Sequence, residues 1–141
     1  MTRRTLRPPG HTQPIGAYSA GVAVIFPPGA ELLFVSGQVA SDASGALVHP
    51  GDPAMQAEYV FDRIEAVLAE AGGRLSDLAS VTIFLCDMAD FALVSPVRDR
   101  RLAGIAPAST LVEVSRLAIE GHLVEINAIA VLPPRTGDAR P

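Results

Sequence analysis

Apolar and polar positions along the chain repeat with two periods, and the period changes where the elements change. Residues 31–39, ELLFVSGQV, carry consecutive apolar side chains from Leu32 to Val35 and predict a strand apolar on both faces. Residues 18–25, 80–85, 109–114 and 122–131 are rich in β-branched side chains at alternating positions and predict further strands. A short extended piece is expected near 46–49. Ala57, Val60, Phe61, Ile64, Val67, Leu68 and Ala71 recur at helical spacing. Asp52-Pro53 before them supplies a capping side chain and a residue preset for the first turn. Gly72-Gly73 after them tolerates the left-handed conformation that ends a helix. A second helix is predicted from Ser95-Pro96 to near Gly104.

The order is then β-β-β-α-β-α-β-β, an α+β domain over 15–132. Two helices cover one sheet face only. The other face is also apolar, and leaving it wet is costly. Burial against further copies of the chain is the simplest remedy. The last two strands are expected as a pair joined by a turn ending at Gly121. Strand side chains alternate between faces. Val124, Ile126, Ala128 and Ala130 thus make one face, and Leu123, Glu125, Asn127, Ile129 and Val131 the other. Ser109, Leu111 and Glu113 likewise oppose Thr110, Val112 and Val114. Polar groups on an otherwise apolar sheet face, here Ser109, Glu113, Glu125 and Asn127, meet partners or line a site.

Flanking segments read differently. Residues 1–14, with Arg3, Arg4 and Arg7 among prolines and glycine, read as a loose arm, and 133–141 as a polar tail. No apolar run follows Arg3-Arg4, so a secretory or twin-arginine signal is not expected. The 141 residues carry a net charge of −4, which argues against a nucleic-acid surface. The single cysteine, Cys86, excludes an internal disulfide and suits a reducing cytoplasm. No membrane span is expected. His11, His49 and His122 lack metal-ligand spacing, and Gly72-Gly73 follows a helix where a phosphate loop would precede one, so neither metal nor cofactor is expected.

The stretch P-A-S-T-L-V-E-V-S-R-L followed by V-E-I-N-A-I-A-V resembles the C-terminal signature of the Rid (YjgF/YER057c/UK114) family. Ile15-Gly16-Ala17-Tyr18-Ser19, Ser36-Gly37-Gln38 and Asp87-Met88-Ala89-Asp90-Phe91 resemble its upstream motifs, in order. The resemblance spans about Ile15 to Val131. It implies a chorismate-mutase-like mixed sheet and a homotrimer with ligand clefts between subunits. It also implies hydrolysis of reactive enamines and imines, such as those released by pyridoxal-phosphate enzymes. Tyr18 takes the place of the family's site tyrosine and Ser36-Gly37 of its pocket floor, with Leu111 and Phe91 as further binding positions.

Two chemistry-bearing positions depart from that pattern. The arginine that clamps the substrate carboxylate is Ser109 here, and the glutamate that positions water is Asn127, with Glu125 two residues earlier. A serine hydroxyl cannot replace a charge-assisted fork, worth about 1.5–3 kcal/mol per hydrogen bond. That loss predicts at least a tenfold weaker grip on a carboxylate, since about 1.4 kcal/mol is a factor of ten. Asn127 can orient water but cannot take its proton. The expected guest either lacks a carboxylate or is held differently, through Tyr18, Ser109, Glu125 and Asn127. Arg98 and Arg101 on the second helix are charges that a neighbouring subunit's cleft could use, and a solvated helix face is their ordinary role. A non-catalytic binding trimer is the competing reading. Ribonuclease activity, attributed to some relatives, is disfavoured by the acidic balance.

Overall fold

A computed structural model describes residues 2–136. The strands are β1 (Arg3–Leu6), β2 (Gly21–Val24), β3 (Glu31–Gln38), β4 (Leu78–Leu85), β5 (Ala108–Glu113) and β6 (Val124–Leu132). The helices are α1 (Pro53–Glu70) and α2 (Phe91–Arg101). Strands β3-β6-β4-β5 form one sheet in that order, and β1-β2 form a separate antiparallel pair. The fold is α+β with a mixed sheet, because β4 and β5 are parallel while β6 runs antiparallel to both β3 and β4.

Helix α1 begins as the sequence predicts. The Asp52 carboxylate accepts the Met55 N–H at 3.0 Å, and Pro53 opens the first turn. It ends with Gly72 at φ 79°, whose N–H reaches the Ala69 carbonyl while Gly73 N–H reaches Leu68. Its stripe of Ala57, Val60, Phe61, Ile64 and Leu68 is buried against Ile126, Ala128 and Ala130 of β6 and Val35 of β3.

Four local expectations are corrected. The arm is ordered in part: β1 pairs with β2 from Arg3↔Val24 to Leu6↔Gly21. Arg3 holds it, giving N–H groups to the carbonyls of Ser76, Leu78 and Ile105 at 3.1, 2.6 and 2.8 Å. Hydropathy could not reveal this, because the contacts are to backbone far away in sequence. The piece near 46–49 makes only an isolated Ser41–Leu47 bridge. Helix α2 starts at Phe91, so Pro96 lies inside it. Finally, β5 and β6 are not paired with each other, since β4 lies between them. The end of the tail, 137–141, lies outside the described residues.

The register assigns each face. Phe34, Ile129 and Ser80 align across the sheet, as do Asn127, Thr82 and Thr110, and Glu125, Phe84 and Val112. This face lies opposite the helices. Phe34 is 67% exposed on it and Leu32 49%. No helix among the described residues is long and apolar enough to cross a membrane.

Candidate functional site

The structure gathers the predicted site residues into two groups. The first lies on β3 and β6. Val35 pairs with Ala128 and Gln38 with Ile126, so Ser36 and Gly37 together oppose Asn127 in a β-bulge. The bulge is where glycine is needed: a Cβ on Gly37 would overlap the Glu125 carboxylate, which lies directly over it. Ser36, Gly37, Glu125 and Asn127 thus form one polar spot on the uncovered face. Glu125 and Asn127 are half-buried, and Ser36 and Gly37 exposed.

The second group lies at β5 and α2. Ser109 aligns with buried Val81 and Leu111 with buried Ile83, so both point toward the helix side. Leu111 and Phe91 pack against the core. Tyr18 joins them because Ser19, the next residue, bridges to Ala108 and gives its N–H to the Pro107 carbonyl at 3.0 Å. Against Tyr18 and Phe91 lies Arg98, only 3% exposed. Its guanidinium carbon stands 5.4 Å from the Tyr18 ring centre and 5.9 Å from that of Phe91, a cation between two π faces. Arg98 Nε donates to Asp99 Oδ1 at 2.9 Å, and the same oxygen accepts the Ala17 N–H at 3.0 Å. Gly16 is required here as well, since a Cβ would overlap Arg98 Nη2. Burial by itself would raise the Asp99 carboxyl, but the Ala17 N–H and the Arg98 charge together outweigh it and hold the group below its ordinary range.

Arg98 is therefore not on a solvated helix face. Its burial could not be read from the sequence, because α2 carries a weak apolar stripe and begins a turn earlier than the Ser95-Pro96 cue suggests. Arg101 is also committed, but to α1: its guanidinium meets Glu58, Asp62 and Glu65 at 3.1, 2.8 and 2.9 Å. A Ser–His contact exists away from Ser109, with Ser41 Oγ 2.8 Å from Nε2 of buried His122. Cys86 is half-buried, its Sγ 3.3 Å from the His122 carbonyl. It also lines a cavity of about 640 Å³ formed with residues 115–123, which touches neither group.

The two groups do not meet within one chain. Three strand spacings, about 14 Å, separate β3 from β5 and two, about 10 Å, separate β6 from it, and the groups sit on opposite faces. No cluster of three or more potential metal ligands occurs among the described residues.

Comparison with known proteins gives a consistent answer. A family model described as endoribonuclease L-PSP matches residues 10–132. Protein DfrA of Myxococcus xanthus is 39% identical over 131 residues, 93% of this chain and 97% of that one. The crystal structure of YyfB from Yersinia pestis, of the conserved Rid family, superposes with a TM-score of 0.83 at 27% identity, covering 94% of this chain and all of that one. Rv2704 of Mycobacterium tuberculosis, in the YjgF/YER057c/UK114 family, does so at 0.64 and 29%, covering 93% of this chain and 100% of its own. With most of its length matched, its sheet order established and its signature motifs in place, this chain belongs to the endoribonuclease L-PSP family, the Rid (YjgF/YER057c/UK114) proteins.

Proposed function

We propose that the protein is a small-molecule enzyme that hydrolyses a reactive enamine, imine or related carbonyl compound in a cleft between copies of the chain. The observation that carries this reading is the division of the site. One polar spot, Ser36-Gly37 with Glu125 and Asn127, lies on a sheet face whose Leu32 and Phe34 are uncovered. The second, around Tyr18 and Ser109, lies on the far edge. A second copy laid on the open face would cover the apolar side chains and add its own edge group to the first spot. Family membership supports the trimer as the form this takes.

In such a cleft Glu125 is the only carboxylate of the first group, so it takes the role of base toward an attacking water. Asn127, aligned with Thr82, orients that water through its amide. Tyr18 and Ser109 supply hydroxyls to the nitrogen or carbonyl of the guest. Addition of water to the imine carbon gives a carbinolamine, and transfer of a proton to nitrogen lets ammonia leave with a carbonyl product. The net charge of −4 favours a small guest over the polyanion that the family's endoribonuclease description suggests.

The test is ammonia release from enamines generated in situ from neutral and acidic amino acids, with the assembly followed by light scattering. Accelerated release by the wild type, lost in Glu125→Gln, is expected. No acceleration with any of them would leave a non-catalytic binding trimer as the better account, in keeping with the departures at Ser109 and Asn127.

A further inference from the structure

The loop between α2 and β5 holds a strained residue. Ala106 has a φ of 48°, in the left-handed region. That region is disfavoured roughly tenfold for a residue with a Cβ. It persists where the surroundings over-determine it. Here the surroundings are two anchors. On one side is Ser19, buried, which shares its hydroxyl between the Ala106 and Gly21 carbonyls at 2.8 and 3.0 Å. Its N–H goes to the next carbonyl along the loop, that of Pro107. On the other side is Arg3, whose Nη2 donates to the Ile105 carbonyl while its Nη1 donates to those of Ser76 and Leu78. One guanidinium thus ties the strained loop to the start of β4. Arg3 is held in turn by the pairing of β1 with β2, where it stands opposite Val24. The Ile25 N–H closes that pair on the Thr2 carbonyl at 2.9 Å.

We infer that Arg3 is a positioning residue for the Tyr18 and Ser109 half of the site, with β1 as a strap that keeps the loop over residues 104–107 in its strained form. The loop is where the two site residues meet: Ala106 lies three positions before Ser109, and Ser19 directly follows Tyr18. Once the Ile105 carbonyl is released, Ala106 relaxes to negative φ and its carbonyl turns away from the Ser19 hydroxyl. Tyr18 and Ser109 then lose their common anchor, although Arg3 touches neither. A guanidinium suits this task, because its rigid fork presents donors in two directions and reaches carbonyls of separate segments. The contacts are to backbone, so the strap acts whatever guest the half-site takes. The inference rests on the hydrolytic reading for what Tyr18 and Ser109 do, and not for the strap itself.

The test follows amide hydrogen exchange and ammonia release together on the assembled protein. Arg3→Ala is expected to speed exchange of the Ser19 amide by about tenfold, with α1 amides such as Ile64 and Leu68 unchanged. Ammonia release should slow by a similar factor. Adding Ala106→Gly should recover most of both losses, because glycine takes positive φ at no steric cost and holds the loop with one anchor. A general loss of stability would speed exchange in α1 as well, and a glycine would not repair it. Unchanged Ser19 exchange in Arg3→Ala, or no recovery in the double variant, overturns the inference. If Arg3→Ala fails to fold, the wild type decides: the Ile25 amide, which reports β1, and the Ser19 amide should open with the same free energy. A Ser19 amide that stays protected while Ile25 exchanges rejects the strap. Faster Ser19 exchange with undiminished ammonia release would overturn the positioning role. A wild type without ammonia release would reject the hydrolytic reading, and exchange would still decide whether Arg3 sets the loop.

Discussion

The polar spot on β3 and β6 and the arginine-centred group at β5 and α2 are built from opposite materials. The first is open and acidic, a carboxylate lying over a glycine bulge on a bare sheet face. The second is closed and cationic, a guanidinium between two rings with a single carboxylate behind it. Each has what the other lacks. The first offers a base and an amide to water but has no cation for a charged guest. The second offers a cation and hydroxyls, while its only carboxylate is already engaged by Arg98 and the Ala17 N–H. The sheet sets the two on opposite faces, with β5 about 10 Å from β6 and about 14 Å from β3. Chemistry that needs both requires two copies of the chain.

The strongest challenge to this contrast is complementation. Gly37→Leu should displace Glu125 and spoil the first group, and Ser109→Phe should fill the second. Each alone is expected to be inactive in ammonia release. Coexpressed in equal amounts, they should recover about a quarter of wild-type activity, because each cleft draws its halves independently from two copies. No recovery from well-folded mixed assemblies would show that both groups serve one chain separately.

The next largest effect concerns the bare face. Phe34→Glu should break the assembly, since a charge in an apolar contact costs about 3 kcal/mol or more, over a hundredfold in association. Light scattering should then report single chains with unchanged circular dichroism. An assembly of unchanged mass would mean that the face is used in some other way.

A smaller effect concerns Arg101. Arg101→Ala removes a helix–helix network whose acids are largely solvated, and should cost about 1 kcal/mol. For a domain of this size that is a loss of about 3 °C in thermal melting.

The smallest effect is the pH dependence of Asp99. Its folded pKa lies below the unfolded value of about 3.9. The ionised form therefore contributes stability above about pH 4, and this is lost as pH falls through the folded pKa. Melting curves of wild type and Asp99→Asn should differ at neutral pH and converge below about pH 4. With Asp99 39% exposed, screening keeps the gap below about 1 kcal/mol. A gap that widens in acid would contradict the Arg98–Asp99 pairing.

Much of this architecture was legible in the residues. The Asp52-Pro53 cap, the helical stripe from Ala57 to Leu68 and the buried face of Val124, Ile126, Ala128 and Ala130 are local patterns, set by side-chain periodicity and capping chemistry. The same alternation gave Glu125 and Asn127 a common face opposite the buried one. Pairing between distant segments is different, because nothing in β5 or β6 says that β4 will lie between them. That insertion turned an expected hairpin into two strands held apart, and with it divided the site. The burial of Arg98 was hidden for a related reason: it depends on Gly16 and Tyr18 arriving from elsewhere in the chain. Sequence by itself determined most of the elements, their apolar faces and the family's motifs, since these follow from neighbours within a few residues. Only the tertiary structure decided which polar groups share a surface and which charge is buried, because those are set by contacts between residues far apart along the chain.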